Sequence, residues 1–296
     1  MKEQDTRAQS SEASPQYLVS PELLKTWIDD GSAKVVEVTT HLRPGEAGFT
    51  SVSGRDDYDL AHIPSAQYLD LQSELSDNGS EFRFTRPEVA QFEAAVSKIG
   101  IAPQDQVVLY AANHPMWACR VWWLFRLFGH RRVAVLDGGL SAWEAMGFEL
   151  STEAPVVPST DYQASFSPDM LIKGQEIVDR SSASNFCLIN ALSARQFVGE
   201  GPHYGRPGHI EGSINLPYSH FLDDQMKFLG LGALRTLFSD DQLAPDAEIA
   251  TYCGGGIAAS IPIFALALLG KESGVRLYDN SLSEWAQQKS WPMAVG

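Results

Sequence analysis

Short apolar runs alternate with longer apolar or amphipathic segments along most of the chain. In the first half, this pattern predicts strands at 35–38, 107–110 and 133–136, and helices at 86–99, 116–128 and 140–146. In the second half, it predicts strands at 186–189, 249–252 and 275–278, and an apolar helix at 257–269. Short buried strands separated by helices are typical of α/β proteins, in which helices cover both faces of a mainly parallel sheet.

The two halves also share sequence, which indicates a duplicated domain. The matching pairs are Q-V-V-L-Y-A with E-I-A-T-Y-C, V-L-D-G-G-L-S-A-W with L-Y-D-N-S-L-S-E-W, and A-H-I-P-S-A with G-H-I-E-G-S. Tyr110 and Tyr252 are 142 residues apart, and so are Trp143 and Trp285. The third pair is offset by 147 residues, a difference that one short insertion explains. Three matches in the same order predict two domains of one fold.

The repeat and the local composition set the expected domain boundaries. Residues 1–16 are polar and are predicted to be a disordered tail, and residues 17–150 form the first domain. A proline-containing segment, 151–167, is predicted to link it to the second domain, 168–296.

Composition and charge exclude several classes of function. The chain has 296 residues and a net charge of −15 without a cluster of Lys or Arg, which argues against a nucleic-acid partner. Its longest apolar run, 257–269, is too short to span a bilayer, so no membrane association is expected. The N-terminus lacks a secretory signal, and Cys119, Cys187 and Cys253 have neither metal-ligand spacing nor a disulfide pattern. We therefore expect a cytoplasmic protein without a metal or another cofactor.

The stretch T-Y-C-G-G-G-I-A-A-S, residues 251–260, is the most informative for chemistry. Cys253 follows a predicted strand and precedes an apolar helix, and the carboxyl ends of parallel strands are where such sheets bind ligands. Three glycines allow the backbone to curl so that successive N–H groups point at one centre, next to the positive end of the helix. Such a loop stabilises a thiolate, although free cysteines are more commonly small buried core residues.

Two other interpretations of this stretch are disfavoured. The sequence G-x-G-x-x-A at 254–259 matches a dinucleotide-binding fingerprint, but only seventeen residues follow Asp279, too few to complete that fold. A cysteine phosphatase or arsenate reductase needs C-x5-R, and Ala259 occupies the arginine position.

Several motifs in one order resemble the tandem-domain rhodanese family, the thiosulfate and 3-mercaptopyruvate sulfurtransferases. They are V-L-D-G-G-L-S-A-W, C-R-V-W-W-L-F-R, G-H-I-E-G-S-I-N-L-P, C-G-G-G-I-A-A and Y-D-N-S-L-S-E-W. The resemblance covers nearly the whole chain past residue 17. It implies two rhodanese-like domains, of which the first is inactive because Ala111 stands where the second has Cys253.

The resemblance also implies a mechanism. In this family a thiolate attacks the outer sulfur of a small-molecule donor and forms a persulfide, from which a thiol, cyanide or a reduced protein takes the sulfur. By this resemblance Cys253 is the nucleophile, and the cradling loop consists of Gly254, Gly255, Gly256, Ile257 and Ala258.

The chain departs from the family at the positions that select the donor. Family loops read C-R-K-G-V-T for thiosulfate and C-G-S/T-G-V-T for mercaptopyruvate, so Gly255 and Ala258 each lack a hydroxyl and the loop lacks cations. Asn190 and Leu192 stand where an Asp and a donor-binding Arg are expected, which leaves Arg195 and Arg206 as candidates for binding the donor anion. Both donors therefore remain open. The alternative function is a non-catalytic or regulatory binding module.

Four residues that recur in both halves are predicted to be structural. His62 and His209 lie at the same turn, where an imidazole ring that bonds the backbone is expected. Asp137 and Asp279 precede the closing helices and are expected to cap or turn the chain there.

Overall fold

Each half of the chain folds around a parallel β-sheet. The structure, a computed structural model, describes residues 16–45, 48–181 and 183–296. The predicted disordered tail, residues 1–16, lies outside these ranges except for Gln16. None of the helices in these ranges combines the length and the apolar character that crossing a bilayer requires.

Within its described residues, the first half contains seven strands and five helices. The strands are β1 (Leu18–Val19), β2 (Ala33–Glu37), β3 (Thr40–Gly45), β4 (Gly48–Ser53), β5 (Gln67–Tyr68), β6 (Gln106–Tyr110) and β7 (Val133–Leu136). The helices are α1 (Pro21–Asp29), α2 (Arg55–Leu60), α3 (Val89–Lys98), α4 (Pro115–Leu127) and α5 (Gly139–Ala145). The sheet order is β1-β7-β6-β2-β5 with all pairs parallel, and β3 and β4 form a separate antiparallel hairpin that the sequence pattern did not predict.

The second half repeats this arrangement with a smaller sheet. Its strands are β8 (Phe186–Asn190), β9 (His209–Ile210), β10 (Ile214–Asn215), β11 (Glu248–Tyr252), β12 (Val275–Leu277) and β13 (Met293–Ala294). Its helices are α6 (Gly174–Arg180), α7 (Ala194–Phe197), α8 (Leu231–Thr236), α9 (Asp240–Leu243), α10 (Ser260–Leu268) and α11 (Ser281–Trp285), with short 3-10 helices at Pro168–Met170 and Tyr218–Phe221. The parallel sheet has the order β10-β8-β11-β12, and β9 pairs with β13 in an antiparallel ladder.

Alternating residues of the first sheet enter two separate cores, as expected when helices cover both faces. On β6, Val107 and Leu109 pack into the larger core, which continues into the second half, whereas Val108 and Tyr110 pack with Trp143 of α5. The predicted α/β class and the parallel sheets are confirmed.

The two halves meet through a reciprocal pair of hydrogen bonds. The Asp137 carboxylate accepts the N–H of Phe228 at 2.9 Å, and the Asp279 carboxylate accepts the N–H of Arg86 at 2.7 Å. Arg86 and Phe228 are 142 residues apart, the offset of the repeat. The expectation that these aspartates cap the closing helices is wrong, because Gly138 and Asn280 occupy the N-cap positions. Each carboxylate instead binds the backbone of the other half.

The recurring histidines are structural, as predicted. The His62 ring stacks on Tyr58 and its Nδ1 lies 2.7 Å from the Tyr58 carbonyl oxygen. The His209 ring stacks on Phe197 in the same way, with Nδ1 2.8 Å from that residue's carbonyl oxygen.

Two helices begin later than their apolar pattern predicted. α3 starts at Val89 rather than 86, because the N–H of Arg86 binds Asp279 and Glu88 is the extended N-cap residue. α10 starts at Ser260 rather than 257, which places Pro262 in the first turn, where a proline costs no intrahelical hydrogen bond. Residues 257–259 are thereby released to the loop that follows β11.

The segment predicted to link the domains is extended and lies along the first half. Residues 152–167 contain neither helix nor strand. The N–H groups of Thr160, Ser165 and Ser167 donate to carbonyl oxygens of the first half. The exact domain boundaries stay a prediction.

Candidate active site

Cys253 lies at the carboxyl end of the central part of the second sheet. It directly follows β11, which has β8 on one side and β12 on the other, and α10 begins seven residues later. Its side chain is packed in the core, and the residue is only 2% exposed. This is the position at which a parallel α/β sheet places ligands, between strand ends and a helix N-terminus.

The loop after Cys253 leaves its backbone N–H groups without partners. The six N–H groups of residues 254–259 donate no hydrogen bond to any atom of the described chain. The carbonyl groups are held instead: those of Cys253 and Gly254 accept the N–H groups of Leu282 and Ser283 in α11, at 3.2 and 2.9 Å. Successive free N–H groups beside a helix N-terminus form a site for an anion.

The three glycines of the loop are required to different degrees. Gly256 has φ +77°, and a Cβ there would lie 2.4 Å from the Asp279 carbonyl oxygen, so a side chain is excluded by both conformation and space. At Gly254 a Cβ would meet the ring of Tyr204 at 1.9 Å. Gly255 is different, because its nearest neighbours would lie 3.7 Å away and its φ is not in the left-handed region.

The side chains of Ile257 and Ala258 contribute packing rather than chemistry. Each residue is 7% exposed and belongs to the apolar core. Of the predicted cradling residues, these two therefore present only their N–H groups to the site.

Tyr204 completes the site from a segment that the sequence analysis passed over. Its ring covers Gly254, the residue is 37% exposed, and its hydroxyl makes no hydrogen bond within the described residues. Desolvation, with a smaller contribution from the charge of nearby Cys253, raises the pKa of Tyr204 above its ordinary value. The surrounding G-P-H-Y-G-R-P carries no local signal for the contact with Gly254, which spans 50 positions of the chain.

Arg206 holds the Tyr204 segment in place with four of its five guanidinium N–H groups. Its guanidinium donates to four backbone carbonyl groups at 2.9 to 3.1 Å, those of Trp285, Ala286, Gln288 and Trp291. These carbonyls lie at and beyond the C-terminus of α11, where cations and donors are favoured. The structure therefore does not support the prediction that Arg206 binds the donor.

Arg195 lies on the surface. Its side chain is 79% exposed and its Nε lies 3.5 Å from the Glu200 carboxylate. The prediction that it binds the donor stays a prediction.

The first half contributes a buried cation beneath the loop. Arg120 of α4 is 0% exposed, and its Nη1 lies 2.6 Å from Oδ1 of Asp279, without the alignment of a good hydrogen bond. Asp279 in turn contacts Gly256. The backbone of Arg83 also approaches the loop, at Gly255. The site is therefore built from both halves, which the sequence analysis did not foresee.

Comparison with known proteins adds the family context. The rhodanese-like domain family matches residues 20–146 and 169–288. The chain is 30% identical to thiosulfate/3-mercaptopyruvate sulfurtransferase 2 of Arabidopsis thaliana, over 93% of this chain and 86% of that protein. It is 28% identical to 3-mercaptopyruvate sulfurtransferase of Escherichia coli K12, over 94% and 97% of the two chains.

A solved structure gives the same result for the fold. The crystal structure of SseA from Escherichia coli, described as a 3-mercaptopyruvate sulfotransferase, superposes with a TM-score of 0.78 at 27% identity. The match covers 91% of this chain and all of that one. The tandem arrangement thus extends over both proteins.

Proposed function

We propose, on the premise that this chain belongs to the rhodanese-like family and is a sulfurtransferase, that Cys253 is its nucleophile and carries the sulfur as a persulfide. The Cys253 thiolate attacks the outer sulfur of the donor, and the S–S bond forms as the bond to the donor's remainder breaks. A thiol, cyanide or a reduced protein then attacks the persulfide and regenerates the thiolate, a two-step covalent cycle.

The observation that carries this proposal is the set of unpartnered N–H groups at residues 254–259. A persulfide is anionic, and buried hydrogen-bond donors aimed at an anion are worth more in a site that excludes water than they are in solution. Because no cationic side chain occurs in the loop, the backbone itself is the main source of stabilisation.

The donors considered are thiosulfate and 3-mercaptopyruvate, which are named in the relatives from Arabidopsis and Escherichia coli. Cys119, Cys187 and Cys253 are all free thiols, which fits a reducing compartment, and we propose the cytoplasm.

Intact-mass measurement after incubation with each donor tests the proposal. We expect the protein to gain the mass of one sulfur atom and to lose it when cyanide is added. Cys253→Ser should abolish both the gain and the catalysed transfer, because a hydroxyl does not form a persulfide.

Cys187→Ser is the matched control. Cys187 lies on β8 and is partly buried, and its Sγ accepts a hydrogen bond from Gln242 Nε2 at 3.1 Å. Replacement of this thiol should therefore leave the sulfur uptake intact. A wild-type chain that gains no sulfur from either donor would favour the binding module over the enzyme.

A further inference from the structure

We propose that the Tyr204 phenol protonates the leaving group of the donor, and that the donor is therefore an α-keto acid with a β-thiol, such as 3-mercaptopyruvate, rather than thiosulfate. This inference rests on the proposed persulfide at Cys253. It makes Tyr204 a catalytic residue and gives the site a preference between the two donors.

The position of Tyr204 is fixed from two sides. Its ring lies so close to Gly254 that only a glycine fits beneath it. Two residues further on, the four hydrogen bonds of Arg206 attach the segment to the end of α11, the helix that also holds the loop carbonyls. The phenol is thus held beside the loop that follows the nucleophile, and the ring reaches solvent at the same time.

Tyr204 differs from the threonine and the serines beside the loop, because its hydroxyl proton is not donated within the described residues. The others each donate to a backbone carbonyl: Thr251 to Ala259 at 3.0 Å, Ser260 to Ile257 at 2.6 Å, Ser281 to Tyr278 at 2.8 Å and Ser283 to Gly254 at 2.8 Å. A group that transfers a proton must be able to point it at the substrate.

Desolvation favours the protonated phenol over the phenolate. Since it raises the pKa of Tyr204, the group remains a proton donor at neutral pH and above. Gly255 and Ala258 place no hydroxyl in the loop, so the phenol supplies the function that the loop lacks.

The step balances with a carbon leaving group. The Cys253 thiolate forms the S–S bond, the C–S bond of the mercapto acid breaks, and its electron pair leaves as the enolate of pyruvate. The phenol proton converts this enolate to pyruvate, and the thiol proton now on the outer sulfur returns to the phenolate. The products are pyruvate and the persulfide anion, with no oxidant or reductant required.

Thiosulfate places a different demand on the site. Its leaving group, sulfite, departs as a stable anion that needs no proton, whereas the bound dianion needs positive charge. Residues 253–259 carry no cationic side chain.

Tyr204→Phe tests the inference because it keeps the ring over Gly254 and removes only the hydroxyl. We expect the single-turnover rate of persulfide formation from 3-mercaptopyruvate to fall by about 100-fold, with KM changed much less. Persulfide formation from thiosulfate and discharge of the persulfide to cyanide should stay within about twofold of wild type, because neither step uses this proton. The solvent deuterium isotope effect on the mercaptopyruvate step should be largest in the wild type.

Tyr162→Phe is the matched control for loss of a phenol. Tyr162 lies in the segment that packs on the first half, where its hydroxyl bonds His130 at 3.0 Å, and we expect no donor-dependent change. A Tyr204→Phe chain that is unaffected, or equally slowed with both donors, would overturn the inference.

The wild-type chain separates this inference from the proposed function. Sulfur uptake from thiosulfate but not from 3-mercaptopyruvate would contradict the role of Tyr204 and would still support the Cys253 persulfide. Uptake from neither donor would contradict both proposals.

Discussion

The loop after β11 and the loop after β6 occupy the same position in the two halves, but they use their backbone differently. In the second half, the six N–H groups of residues 254–259 find no acceptor within the described residues. In the other half, the N–H of Ala112 donates to Thr39 Oγ1 at 2.9 Å, that of Met116 donates to His114 Nδ1 at 3.1 Å, and Pro115 has none. The alanine at position 111 is therefore only part of the difference, because the loop after β6 also has fewer free N–H groups.

Backbone shape explains how the two loops diverge. Gly256 has φ +77°, whereas His114, at the equivalent position, has φ −154° and is the N-cap of α4. α4 begins at Pro115, which is equivalent to Ile257, so the helix of the first half starts three residues earlier than α10 does. The left-handed glycine thus keeps residues 257–259 of the second half out of the helix, so that their N–H groups remain available in the loop.

The two halves also differ in whether a cation lies beside the aspartate of the closing turn. Arg120 stands at the position of Pro262 and pairs with Asp279, the aspartate beside Gly256. Asp137, the equivalent aspartate of the first half, forms no salt bridge within the described residues, and burial raises its pKa. The first half therefore places a positive charge beside the loop after β11, where the second half has an uncharged proline at the equivalent position.

The largest effect that we expect within this comparison follows from Gly256→Ala. The new Cβ would collide with the Asp279 carbonyl group and would strain a left-handed residue, so the loop must move. Displacement by about 1 Å is enough to cost roughly 100-fold in rate, and we expect persulfide formation to slow by that order.

Gly255→Ala is the control for this glycine series. Its Cβ would meet only ordinary contacts at 3.7 Å, and uptake of sulfur should stay within a few-fold of wild type. Equal damage at both positions would mean that the loop does not depend on the left-handed turn at Gly256.

Arg120→Met should destabilise the protein and, through Asp279, the active loop. Removal of the cation leaves a buried carboxylate without compensation, and we expect the free energy of unfolding in urea to fall by about 3–5 kcal/mol. Adding Asp279→Asn should restore part of this loss, because the amide oxygen still accepts the N–H of Arg86 without carrying a charge.

A second ion pair between the halves serves as the comparison for Arg120. Arg126 and Glu272 lie 2.6 Å apart with side chains 12% and 39% exposed, so Arg126→Met should cost about 1 kcal/mol or less. An Arg120→Met chain no less stable than Arg126→Met would show that the buried pair does not hold the halves together.

The sequence predicted the features that rest on local pattern. The three main strands of each half were placed within about two residues, because buried parallel strands are short and continuously apolar. Cys253 and its three glycines were identified because they are consecutive in the chain and follow an apolar strand. The late start of α10 was not predicted because residues 257–259 are as apolar as the helix that follows. The left-handed φ of Gly256, which keeps these three residues out of the helix, is not visible in the hydrophobic pattern.

Contacts between distant segments could not be predicted in the same way. Tyr204 reaches Gly254 across 50 positions of the chain, and nothing beside it in the sequence marks the contact. Arg206 has the character of an anion-binding residue, but the carbonyl groups at the end of α11 use its donors. The tertiary structure determines which groups an arginine contacts. The roles of Arg206 and Arg120 are therefore visible only in the folded chain.

The smallest effect is expected from Ala111→Cys in the Cys253→Ser background, which places a thiol at the equivalent strand end of the first half. Ala111 is 4% exposed, close to the 2% of Cys253, so the two positions are about equally accessible. We expect no gain of sulfur by intact mass with either donor, because the N–H groups of Ala112 and Met116 are already bonded and Pro115 has none, so fewer free donors surround position 111. A persulfide at position 111 would show that a thiol at the strand end is sufficient, and that free backbone donors are not what distinguishes the two halves.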